Sequence, residues 1–96
     1  MPKLSDEAIA EALSHLEGWA REDDSLVREF VLPDFVAALG LMAQTGVLAE
    51  RANHHPSMAN IYNRVRIALS THDEGGITER DVALAREITD RASKLM

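Results

Sequence analysis

The chain has 96 residues, of which 46% are hydrophobic and 27% charged, a composition that suits one compact domain over residues 1–96 and leaves no room for a separate cofactor domain. Sixteen acidic residues against ten basic ones give a net charge of −6, with no cluster of Lys and Arg, which argues against direct binding to nucleic acid. Cysteine is absent, which removes disulfides, thiolate nucleophiles and Cys-ligated metals; the longest apolar run, Phe35 to Ala43, is far too short to span a membrane, and the start lacks the apolar region of a secretory signal, so the cytosol is the expected compartment.

Ser5 reads as the N-cap of a first helix, with Asp6 and Glu7 at its positive dipole end and Leu4 placed to staple against Ile9. Ile9, Leu13 and Leu16 form its apolar stripe, so the helix is expected to run from Asp6 to about Glu17, where Gly18 stops it. The turn-like Asp23-Asp24-Ser25 then divides two short strands, Trp19 to Glu22 and Leu26 to Leu32. In the second, Leu26, Arg28, Phe30 and Leu32 share one face, and Val27, Glu29 and Val31 the other. Pro33-Asp34 breaks the strand and caps a second helix that runs to about Ala52. From Phe35 to Ala43 that helix is apolar all round. It must be covered on more than one side, and in so short a chain the second covering surface is expected from another subunit.

After His54-His55-Pro56, Ser57 to Tyr62 and Arg64 to Thr71 read as a second hairpin, with Val65, Ile67 and Leu69 alternating with Arg64, Arg66, Ala68 and Ser70. Asp73-Glu74-Gly75-Gly76 closes it. Thr78-Glu79-Arg80-Asp81 resembles a capping box, and Leu84, Ala85, Ile88, Ala92 and Leu95 carry the stripe of a last helix. The element order is therefore α-β-β-α-β-β-α, an α+β arrangement of two hairpins and three helices.

Chemistry concentrates in the second half, where three of the four histidines, His54, His55 and His72, lie with Glu50, Tyr62 and Asp81. Imidazole, with an ordinary pKa of about 6.5, is both acid and base near neutrality, so three together point to proton transfer. Glu50 and His54 stand four apart on one helix face, where a carboxylate can hydrogen-bond the ring and favour its protonated form, or simply close the helix end. His55 precedes Pro56 and is biased towards extended backbone, so it should point away from His54. His72 returns to the same end if the hairpin is antiparallel. A metal site built from Glu50, His54, His55 and His72 is the competing reading, but the His-Glu-x-x-His spacing is missing and adjacent histidines rarely share one ion. Asp81 reads first as the N3 capping acid. Trp19 and Tyr62 read as core or rim aromatics able to stack on a flat heterocycle, and His15 as a solvated polar residue.

Taken together, Glu50-x-x-x-His54-His55-Pro56, Tyr62-Asn63-Arg64-Val65, Thr71-His72-Asp73-Glu74-Gly75-Gly76-Ile77-Thr78 and Asp81, with Gly18-Trp19 near the start, resemble the pterin-4a-carbinolamine dehydratase family over nearly the whole chain. The resemblance implies a four-stranded antiparallel sheet with three helices packed on one face, a homodimer or homotetramer, and no metal or bound cofactor. It implies loss of water from 4a-hydroxytetrahydropterin to give quinonoid dihydropterin, in the recycling of tetrahydropterin. On that basis His54 and His72 are the expected acid/base pair and His55 binds the pterin while assisting; Glu50 would orient His54, and Asp81 would support the site or hold its helix start. Some animal members also serve as dimerisation cofactors of a homeodomain transcription factor, which leaves a binding-module alternative open.

Overall fold

A computed structural model describes residues 2–96. The order is α1 (Asp6–Leu13), β1 (Ala20–Glu22), β2 (Ser25–Val31), α2 (Phe35–Ala52), β3 (Ser57–Ile61), β4 (Arg64–Leu69), a 3₁₀ turn (His72–Glu74) and α3 (Glu79–Ser93). The four strands form one antiparallel sheet in the order β1-β2-β4-β3. The register pairs Leu26 with Leu69, Arg28 with Ile67 and Phe30 with Val65, which gathers the apolar positions of β2 and β4 on one face. The helices cover that face, and Ile9, Leu16, Leu41, Leu48, Val82, Leu84 and Ile88 close the core against it. The opposite face carries the other set of the alternation and is latched by ion pairs, Arg64 to Glu29 at 2.9 Å and Arg66 to Glu22 at 2.6 Å.

α1 ends earlier than its apolar stripe suggests. Beyond Leu13 the chain tightens into i→i−3 hydrogen bonds, His15 to Ala12 and Leu16 to Leu13, so Leu16 still reaches the core from a non-α turn. Gly18 then takes a φ of +87°, which favours glycine, and a Cβ there would stand 2.7 Å from the Arg28 guanidinium and push that side chain aside.

α2 starts where Asp34 accepts from the Ala37 N–H at 2.8 Å. It buries Ala38, Leu41, Thr45, Leu48 and Ala49 and leaves Val36, Leu39 and Val47 exposed at 75%, 47% and 57%. The apolar residues thus surround the helix as its sequence requires, while the fold described by residues 2–96 covers only one side. Met42 is half-buried against the core.

Candidate active site

Two helix ends build the site. α2 terminates with Asn53 in the left-handed region at φ +50°, and the N–H groups of Asn53 and His54 return to the Glu50 and Ala49 carbonyls, the pattern of a Schellman motif with Asn in the place glycine more often takes. That reversal turns His54 inward. The guanidinium of Arg80, from the first turn of α3, donates to the Asn53 carbonyl at 2.7 Å and holds the reversal in place. α3 begins with the capping box that its sequence announces: Thr78 Oγ1 accepts from the Arg80 N–H, and Asp81 Oδ2 accepts from the Thr78 N–H at 2.9 Å.

Asp81 does more than cap. It is fully buried, and while Oδ2 also accepts from Thr71 Oγ1 at 2.9 Å, Oδ1 meets His54 Nε2 at 2.5 Å. Three donors therefore converge on one carboxylate. Because the Thr71 hydroxyl donates to Asp81, it must accept from Thr78 Oγ1, 2.8 Å away, and both hydroxyls are oriented. A carboxylate accepts only, so His54 carries its proton on Nε2 and presents Nδ1 to whatever binds. Nδ1 has no hydrogen bond, and the one buried side-chain polar atom left unpartnered among the described residues is Thr45 Oγ1, so Nδ1 is open to the cavity that His54 lines.

This geometry corrects the expected partnership of Glu50. Its carboxylate pairs with His55 Nε2 at 2.5 Å, with both side chains mostly exposed, and not with His54. The reason is the Schellman turn: once the helix reverses at Asn53, His54 no longer projects from the helical face that Glu50 occupies, and His55 is the residue that meets Glu50.

His54, His55 and His72 line one cavity of about 270 Å³ together with Ser70, Thr71 and Arg80. The antiparallel β3–β4 hairpin brings His72 back to this end. Tyr62 and Trp19 are elsewhere. Tyr62 sits at the β3–β4 turn, at the far end of the hairpin, exposed and at φ +50°. Trp19 is buried in the core, edge-on to Phe30 with centroids 5.9 Å apart, its Nε1 donating to Thr89 Oγ1 at 2.8 Å. Neither can stack on a ligand in the histidine cavity. Residue-level reading missed Thr71, Ser70 and Arg80. Extending the inward alternation of β4 would have found Thr71, since Val65, Ile67 and Leu69 face the helices and Thr71 is the next inward position.

The sequence family model described as pterin 4 alpha carbinolamine dehydratase matches residues 2–91. A protein of Thermomicrobium roseum, named as an inferred pterin-4-alpha-carbinolamine dehydratase, is 46% identical over 97% of this chain and 100% of its own length. A crystal structure from Brucella melitensis titled transcriptional coactivator/pterin dehydratase superposes with a TM-score of 0.91 at 41% identity, covering 94% of this chain and 98% of that one. A pterin dehydratase-like protein described as a RuBisCO assembly factor of the alpha-carboxysome shares the fold, with a TM-score of 0.68 at 20% identity over 81% of this chain and 93% of its own. The chain belongs to the pterin-4a-carbinolamine dehydratase family.

Proposed function

We propose that this protein dehydrates 4a-hydroxytetrahydropterin to quinonoid dihydropterin by histidine acid–base catalysis. The observation that carries the reading is the buried Asp81–His54 pair opening, through His54 Nδ1, onto a cavity shared with His55 and His72. Elimination breaks the C4a–OH bond, removes the proton from N5 and forms the C4a=N5 double bond; the hydroxyl leaves as water once protonated. One group must give a proton and another must take one, and His54 and His72 are the pair assigned. Asp81 fixes the ring and tautomer of His54 and balances the charge that the ring acquires on protonation, the service a buried carboxylate performs in other His-dependent enzymes. His55, steadied by Glu50, is assigned to holding the pterin. Help of this kind is worth about 10²–10⁴-fold in rate.

The exposed stripe of α2 supports a homo-oligomer in which a second copy covers Val36, Leu39 and Val47. A second reading gives the same stripe to a different protein partner, in keeping with the related Brucella melitensis structure described as a transcriptional coactivator/pterin dehydratase. No helix of the described residues is long and apolar enough to cross a membrane, and we place the reaction in the cytosol with tetrahydropterin recycling as its setting. The deciding assay generates the carbinolamine in situ and follows quinonoid dihydropterin. Acceleration over the spontaneous reaction, lost in His54 and His72 variants, supports the proposal; a rate equal to the uncatalysed one refutes it.

A further inference from the structure

We propose that a second cavity, on the open face of the sheet, receives the substituent carried by the pterin ring and selects against substituents that bear negative charge. The inference rests on the dehydratase reading and narrows the substrates that site would take.

The second cavity, of about 470 Å³, adjoins the histidine cavity, and Ser70 and His72 line both. Strand alternation sends Arg66, Ala68 and Ser70 to the open face, where Ala68 and Val27 give the cavity an apolar floor. The β1–β2 turn forms the far wall and is pinned in place by the Ser70 hydroxyl, which donates to the Asp24 carbonyl at 2.7 Å. That wall contributes three carboxylates, Glu22, Asp23 and Asp24, against one lining cation, Arg66. Arg66 is already engaged by Glu22 at 2.6 Å, and Asp23 and Asp24 have no ion pair among the described residues. Lys3, which passes beside Gly76, does not line the cavity.

Ring chemistry connects the two cavities. The substituted carbon of a tetrahydropterin, C6, is bonded to N5, the nitrogen that loses its proton. A group serving N5 therefore stands beside the substituent, and His72 is the histidine common to both cavities. A short hydroxylated chain finds acceptors for its O–H groups along the carboxylate wall. A phosphate or a glutamyl carboxylate meets like charge there, with its nearest cation already paired.

The test compares two carbinolamines, one with a neutral dihydroxypropyl substituent and one with the same chain phosphorylated, together with equilibrium binding of the matching stable 7,8-dihydropterins. At ionic strength near 10 mM the neutral substrate is expected to be preferred in kcat/KM by about fivefold or more, and the preference should shrink as salt screens the wall. The double variant Asp23→Asn, Asp24→Asn should move the ratio towards one; Asn tolerates the φ of +53° at position 23, and circular dichroism checks that the fold persists. Equal use of both substrates by the wild type, or a ratio indifferent to salt and to the double variant, overturns the inference while leaving the dehydratase reading intact. Turnover of neither substrate overturns both.

Discussion

Replacing Asp81 with Asn removes one charge and almost no volume, and the hydrogen-bond inventory dictates how the new side chain must sit. The Oδ2 position faces two donors, the Thr78 N–H and the Thr71 hydroxyl, so the amide oxygen has to occupy it. The amide NH₂ is then left against His54 Nε2, which can no longer donate and must accept. The ring proton moves to Nδ1, and the catalytic nitrogen loses its lone pair. Exchanging a charge-assisted bond for a neutral one should cost about 1–2 kcal/mol. For a domain of 96 residues that lowers Tm by roughly 4–16 °C. The loss of turnover should be much larger, on the order of 10²–10⁴-fold in kcat, because His54 would then hold the wrong tautomer for its half of the proton transfer. ¹⁵N chemical shifts of the His54 ring report the tautomer directly, alongside kcat and a thermal melt. Asp81→Ala, which strands three donors, should cost more stability than the roughly 0.5–2 kcal/mol of a lost cap alone. An Asn variant with wild-type kcat, or with the His54 proton still on Nε2, would refute the reasoning.

His72→Ala should slow dehydration at least about tenfold with little change in Tm, since its ring is exposed; His54→Ala should do the same but also lose stability by uncovering Asp81, and His55→Ala should act mainly on KM. Wild-type kcat in both the His54 and His72 variants would sink the assignment. Prolonged EDTA treatment should leave the rate unchanged, and activity lost and then restored by zinc would return the histidines to the role of ligands. Leu39→Glu should reduce the assembly to smaller species in sedimentation, because an unpaired charge would be buried at the contact; a wild-type monomer at micromolar concentration contradicts the oligomer. Thr45→Val, which swaps a fully buried and unpartnered hydroxyl for a methyl, should raise stability by about 1 kcal/mol, and a lowered melting temperature would show that the hydroxyl has a use.

Alternating and helical apolar patterns carried most of the fold. Val65, Ile67 and Leu69 in β4, and the capping box at Thr78, were readable because each depends on neighbours within a few residues. The Glu50 partnership was not. Helical spacing placed Glu50 under His54 only so long as the helix continued, and the left-handed Asn53 ended it one residue too soon. The second task of Asp81 was equally hidden, since its partner His54 lies 27 residues away and only the meeting of two helix ends brings them together. Trp19 and Tyr62 suggested stacking by residue type alone, and type does not say which end of a hairpin or which side of a sheet a ring will occupy.

The carboxylate shared between the end of α2 and the start of α3 also governs how this protein can fluctuate. An active site on a loop can open while the rest of a domain stays closed, at a small fraction of the global free energy. Here the Thr78 amide, the Thr71 hydroxyl and the His54 ring are bound to one buried group, so the end of α2, the end of β4 and the start of α3 are tied together at a single side chain. Hydrogen exchange at the Thr78 amide, whose proton is held by Asp81, is therefore expected to be slow and to speed up in an Asp81 variant. His72, exposed on the rim, keeps the freedom to reorient that His54 has given up.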